Sequence, residues 1–133
     1  MTQATRLVRN DAYEEMGCAY QCLQASILDA ALQENGITDA AIRQKICESF
    51  LFELGNFHDQ GWLRSSAKAD RVYPLLCFSK QFLNADTPVE GLGEVFVPSE
   101  MFAFHEFALG NAALLYEGDP NAQVETGYFE GEG

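Results

Sequence analysis

Two consecutive amphipathic segments joined by a short turn are the feature that most constrains the fold of this chain. In the first, from about Asp11 to Asn35, apolar residues recur at spacings of three and four, which is the period of one helix face. That face consists of Tyr13, Met16, Tyr20, Leu23, Ile27 and Ala31. Gly36 ends the helix, because glycine accepts the left-handed conformation that closes a helix.

The second segment starts at Thr38 or Asp39, either of which caps a helix N-terminus. Its apolar face consists of Ile42, Ile46, Phe50, Leu54 and Phe57. Because only a few residues separate the two segments, we expect an antiparallel helical hairpin. A loop around Trp62 is predicted at residues 55–66.

Two short extended segments follow the hairpin. Residues 71–79 and residues 94–97 each contain an apolar run typical of a strand. Pro74 lies inside the first run and Pro98 ends the second, and proline cannot donate to a strand ladder. We therefore expect at most a small antiparallel sheet.

A third helix is predicted from Glu100 to Tyr116, with Gly118 as its stop signal. It is apolar nearly all round, which favours a central position in the fold. One alternative stays open, in which the helix ends near Gly110 and residues 112–116 pair with residues 124–129 as a hairpin.

The expected fold class is mainly α, with α+β as an alternative: an antiparallel helical hairpin, a central apolar third helix and a small sheet. A chain of 133 residues that is 47% hydrophobic has the size and composition of one domain, here residues 1–133. Residues 1–10 and 130–133 are expected to be flexible.

Charge is distributed unevenly along the chain. The net charge is −12, and residues 81–133 contain ten acidic residues and no Lys or Arg. Such a field repels phosphates, so we expect neither nucleic-acid binding through a basic patch nor binding to an anionic membrane. It favours a basic protein partner, or serves solubility alone.

Nothing in the sequence indicates export or insertion into a membrane. The longest apolar runs are only a few residues, against the ~20 that a membrane helix needs, and no signal-like segment follows the N-terminus. We expect a soluble, cytoplasmic protein whose four cysteines are reduced thiols.

Glu53 and His105 are the first two candidate site residues, because each lies in the apolar arc of its predicted helix. A buried charge is costly unless it is paired. We therefore predict that the two side chains face each other, as a general acid–base pair or a pair of metal ligands. The alternative is a hydrogen-bonded core histidine and a glutamate that reaches solvent.

His58 is the third candidate, in a polar segment with Asn56 and Asp59 that has an aromatic residue on each side. These side chains suit a small polar ligand, but they equally suit an ordinary helix end. The common catalytic and phosphate-binding motifs are absent from the sequence, and neither a cofactor nor a metal is predicted.

Small residues form a second line on the first helix, through Cys18, Cys22, Ala25 and Asp29. Such a line favours close packing of another helix or of a second subunit. Together with the apolar third helix it predicts a homodimer. The alternative is a thiolate metal site completed by Cys47 or Cys77.

Two functions from different classes follow from these observations. The preferred one is a non-catalytic binding or regulatory protein. The alternative is a small enzyme, or a metal- or ligand-binding protein, that uses Glu53, His58 and His105. The sequence itself does not decide whether the protein is an enzyme.

Overall fold

The computed structural model describes residues 3–130, within which the chain divides into two compact units. The first contains residues 3–14, 75–102 and 125–130, and the second contains residues 15–74 and 103–124. The prediction of a single domain stays a prediction, and most of the tail expected to be flexible lies outside the described residues. Among the residues described, no helix is both long enough and apolar enough to cross a membrane.

The first unit is built on a mixed three-stranded sheet. Its strands are β1 (Gln3–Val8), β2 (Phe78–Ser79) and β3 (Leu92–Phe96), in the order β1-β3-β2. β1 runs parallel to β3 and β2 runs antiparallel to it, and a 3-10 helix at Val89–Gly91 leads into β3. The sheet is small, as predicted, but it is not purely antiparallel.

The sequence predicted one of these strands correctly, overestimated the length of another and missed the third. The strand predicted at residues 94–97 is confirmed as β3. The strand predicted at residues 71–79 is reduced to β2, which begins after Pro74, and to an isolated bridge between Val72 and Leu63. Residues 1–10 were expected to be flexible, but residues 3–8 of that segment form β1, because they pair with a strand far along the chain.

Tyr13 is at the centre of the first unit. It belongs to α1 (Ala12–Glu34) and is fully buried. Its hydroxyl donates a hydrogen bond of 2.6 Å to the Leu76 carbonyl, and its ring centroid lies 5.4 Å from that of Phe78 and 5.7 Å from that of Phe102. The buried phenol therefore keeps its polar atom satisfied.

Helices dominate the second unit: most of α1, α2 (Ala40–Gln60) and α3 (Phe104–Tyr116). The predicted helical hairpin is confirmed. Asp29 pairs with Arg43, and one turn earlier in α1 the Ala25 carbonyl meets the Cys47 thiol, so the two helices run antiparallel.

The predicted start and stop residues of the helices are also confirmed. Gly36 follows α1 with φ 90°, and the Asp39 side chain accepts a hydrogen bond from the Ala41 amide at the start of α2. Likewise Gly118 follows α3 with φ 70°. These local signals fix where the helices begin and end.

Small residues form most of the helix contacts, with Leu51 as the large aliphatic residue buried among them. The core of the second unit contains Ala25, Leu51, Ala108 and Ala112, and Cys22 and Cys47 are also buried. The small-residue line predicted on the first helix therefore packs against other helices of the same chain. Small side chains allow the helix backbones to approach closely.

Two helix boundaries differ from the predictions. α2 continues through Gly55 to Gln60, where a loop from residue 55 was expected. α3 begins at Phe104, later than predicted, and continues through Gly110 to Tyr116, so the alternative hairpin with residues 124–129 is wrong. Gly55 lies inside a helix because α3 packs directly on it: an added Cβ would lie 2.9 Å from the backbone nitrogen of His105.

Candidate functional site

The Asp59 carboxylate joins the C-terminal end of α2 to the N-terminal end of α3. Its Oδ2 lies 2.5 Å from Nδ1 of His105, in an ion pair if the imidazole is protonated. The same carboxylate accepts hydrogen bonds from the backbone amides of Phe104 (2.7 Å) and His105 (2.9 Å). Asp59 thus binds two peptide groups and one side chain of α3.

This arrangement explains how α3 starts without a capping residue of its own. Ala103 occupies the N-cap position and has no side-chain oxygen to offer the first amides of the helix. Asp59 supplies that oxygen from another helix and places a negative charge at the positive end of the α3 dipole. From the sequence, Asp59 was only one member of a polar segment, because the third helix was predicted to begin at Glu100, ahead of the uncapped Phe104.

His105 is oriented by Asp59 and remains about one-third exposed. The Phe52 ring stands edge-on to the imidazole, with 6.0 Å between ring centroids. A carboxylate that fixes one imidazole nitrogen is the orienting half of many acid–base sites. Within residues 3–130, however, no serine or cysteine is hydrogen-bonded to His105.

His58 lies beside this pair without joining it through any hydrogen bond in the described part of the chain. Its ring centroid is 5.6 Å from that of Phe104, and its buried Nδ1 has no partner among residues 3–130. Its predicted neighbour Asn56 accepts a hydrogen bond from Gln60 instead. The polar segment around His58 is therefore the last turn of α2, an ordinary helix end.

The predicted contact between Glu53 and His105 is wrong, because His105 pairs with Asp59. Glu53 is exposed and makes no hydrogen bond or ion pair with the other residues that the structure describes. It borders a shallow depression of about 250 Å³ together with Glu48, Ser49, Phe52 and Leu109. The apolar arc that contains Glu53 was assigned correctly, but this arc faces outward, so the carboxylate needs no buried partner.

A second polar cluster closes the opposite end of the helical unit. Asp29 is hydrogen-bonded to Arg43 at 2.7 Å and to the Tyr116 hydroxyl at 2.6 Å, and that hydroxyl lies 3.3 Å from the Cys47 thiol. Burial opposes ionisation of Asp29, but hydrogen bonds from Tyr116, Arg43 and Gln33 hold its pKa below the ordinary value. Burial, with the hydrogen bonds to Asp29 and Cys47, raises the pKa of Tyr116.

The cysteines do not assemble into a metal centre in the described region. Burial raises the pKa of both the Cys22 and the Cys47 thiols, which keeps them protonated near neutral pH. All four cysteines are free thiols, and no group of three or more His, Cys, Asp or Glu side chains within residues 3–130 has the arrangement of a metal site.

An apolar face of α2 is open to solvent. Ile42, Ile46, Phe50 and Phe57, which we call the α2 stripe, are 49%, 36%, 47% and 39% exposed. Apart from Leu54, these are the residues that were predicted to form the core face of the second helix. The prediction that they point inward is wrong, because the opposite side, with Cys47, Leu51 and Gly55, packs in the core instead.

Comparisons with known protein families, with curated protein sequences and with solved structures find no match to this chain.

Proposed function

We propose that this protein is a non-catalytic binding domain that associates with a second copy of itself through the α2 stripe. The observation that carries the proposal is the exposure of four large apolar side chains in one helical row. Single exposed apolar residues are ordinary on protein surfaces, whereas rows and patches mark interaction sites. A helix whose apolar side is uncovered buries it favourably against another helix.

A binding role suits the candidate site better than catalysis does. The hydrogen bonds of Asp59 to the start of α3 give the Asp59–His105 pair a structural purpose. The alternative of a small enzyme or ligand-binding protein using Glu53, His58 and His105 has one supporting observation, the oriented and partly exposed imidazole. We prefer the binding role, because these three residues do not share a hydrogen-bond network.

The acidic C-terminal part of the sequence favours a basic protein as an additional partner. Residues 81–133 contain ten acidic residues and no base, so a basic surface would be attracted to them over several ångströms. The four free thiols support a reducing, cytoplasmic location. Self-association through the α2 stripe requires neither a basic partner nor this location.

Replacement of Phe50 by serine tests the proposed function. Two copies of the side chain would leave each interface, so the dissociation constant of the dimer should rise by at least about tenfold in sedimentation velocity. Ile27→Ser is the matched control, since Ile27 is an exposed apolar residue of the same unit but lies on α1. A monomeric wild-type protein at about 1 mM, or equal effects of the two substitutions, would contradict the proposal.

A further inference from the structure

Resting on the proposed self-association, we infer that two α2 helices pair antiparallel about a two-fold axis at Ser49 and Phe50, with Lys45 bound to Glu53 of the partner subunit. The two side chains, exposed on α2, make no ion pair with any residue that the structure describes. The inference specifies the orientation, the register and a polar contact of the interface.

The distribution of charge along α2 sets the orientation. Lys45 lies in the N-terminal half and Glu53 in the C-terminal half, and both are exposed, whereas Arg43 and Asp59 are already paired within the chain with Asp29 and His105. This order opposes the helix dipole, which favours acidic residues at the N-terminus and basic residues at the C-terminus. An antiparallel neighbour places Lys45 beside Glu53 of the partner subunit, whereas a parallel neighbour would place Lys45 beside Lys45 and Glu53 beside Glu53.

The spacing of the stripe sets the register. Ile42 and Phe57 are its two ends, and both are equally far from the midpoint between Ser49 and Phe50. A two-fold axis at that midpoint therefore places Ile42 level with Phe57 of the partner subunit, so the apolar rows overlap along their whole length. Lys45 then lies within one residue, a rise of about 1.5 Å, of the level of Glu53 of the partner subunit.

Lys45 and Glu53 also lie on the same side of the midline of the stripe. At about 100° per residue, Glu53 falls between Ile42 and Ile46, and Lys45 falls about 60° beyond Ile42, on the side away from Leu54. A two-fold axis perpendicular to antiparallel helices keeps the same edge of both helices on one side of the interface. The position of Glu53 in an apolar arc, which had suggested a buried site, is explained by this pairing across the edge.

The size of the stripe predicts a weak dimer. Four roughly half-exposed large side chains offer roughly 300–400 Å² per chain, because a fully buried aromatic side chain covers about 150–250 Å². With flanking residues the total falls at the low end of specific interfaces. We expect a dissociation constant of about 10–100 μM, so association is measured over a wide range of concentration.

Charge reversal tests the register. Lys45→Glu and Glu53→Lys should each raise the dissociation constant about tenfold in sedimentation velocity, and the double variant should return to within about threefold of the wild type. Circular dichroism checks that each exposed substitution leaves the helices intact. A double variant no tighter than the weaker single variant overturns the pairing, while sensitivity to Phe50→Ser would still support self-association through the stripe.

Zero-length carbodiimide cross-linking gives an independent readout. Within one chain, Lys45 and Glu53 are separated by eight residues of helix, a rise of about 12 Å, which is too far for a direct amide bond. We expect a Lys45–Glu53 amide in the dimer band, detected by mass spectrometry of digested protein and lost in Glu53→Gln. A dimer band without this amide overturns the inference and leaves the proposed function standing, whereas a protein that neither cross-links nor sediments as a dimer contradicts both.

Discussion

Asp59 of α2 and His105 of α3 are joined by a contact of 2.5 Å between Oδ2 and Nδ1, and the same carboxylate accepts two backbone hydrogen bonds at the start of α3. Asp59→Asn and His105→Gln should each lower the free energy of unfolding by about 1–3 kcal/mol, since each removes a partner of a charge-assisted hydrogen bond. In a double-mutant cycle, measured by urea denaturation, we expect a coupling energy of about 0.5–3 kcal/mol.

A second double-mutant cycle, in which Glu53 is mutated instead of Asp59, is the matched control. Glu53→Gln combined with His105→Gln should be additive to within about 0.5 kcal/mol, because the exposed Glu53 carboxylate does not bind the imidazole. Equal coupling in both cycles would contradict the assignment of Asp59 as the partner of His105.

Gly55 and Gly110 offer a matched pair of substitutions within helices. Gly55→Ala should destabilise the protein by about 1–3 kcal/mol, because the new Cβ would lie 2.9 Å from the backbone of both Phe104 and His105. Gly110→Ala meets nothing within 4 Å and should stabilise α3 by about 0.5–1 kcal/mol. Thermal denaturation of both variants checks the opposite signs; stabilisation by Gly55→Ala would show that the two helices are not in close contact.

Asp29 should make stability depend on acid pH. Its pKa in the folded protein is lowered below the ordinary value of 3.8, so its contribution is present above that pH and is lost as the pH falls through the folded pKa. Asp29→Asn should cost about 3 kcal/mol at pH 7, because it leaves the partly buried Arg43 without its counter-ion. The difference in unfolding free energy between wild type and variant should shrink below about pH 4; a constant difference down to pH 3 would contradict the ion pair.

Added salt should strengthen self-association, whereas it should weaken binding to a basic partner. Two chains of net charge −12 repel each other over long range, and raising the ionic strength shortens that repulsion to about 8 Å at 0.15 M. The exposed Lys45–Glu53 pairs contribute too little to reverse this sign. The dissociation constant of the dimer should therefore fall between about 20 and 200 mM NaCl, whereas a complex with a basic protein should weaken; a dimer that weakens with salt would show that attraction between charges dominates its interface.

The helix ends that carry local signals could be predicted from the sequence, whereas the C-terminal end of α2 and the N-terminal end of α3 could not. Asp39 caps α2 with its own side chain, and Gly36 and Gly118 adopt the left-handed conformation that their positions predicted. β1 could not be predicted in the same way, since its partner β3 is about ninety residues away and its pairing depends on the folded chain.

The faces of the helices show why periodicity alone misplaced the core. On α2 the period of large apolar residues pointed to Ile46 and Phe50, yet Cys47 and Leu51, one residue further on, are the buried ones. Periodicity identifies an apolar stripe but not the surface that covers it, and small residues permit the closer helix contact. The Asp59–His105 pair was missed for the same reason, because it follows from how α2 packs on α3.

Intermolecular nuclear Overhauser effects in an equimolar mixture of isotope-labelled and unlabelled protein test the central claim most directly. At a concentration well above the expected dissociation constant, isotope-filtered spectra should connect the Ile46 methyl groups of one copy with the Phe50 ring of the other, and Phe50→Ser should remove the intermolecular signals. No intermolecular contact at that concentration, or contacts confined to residues outside α2 such as Ile27, would contradict the account.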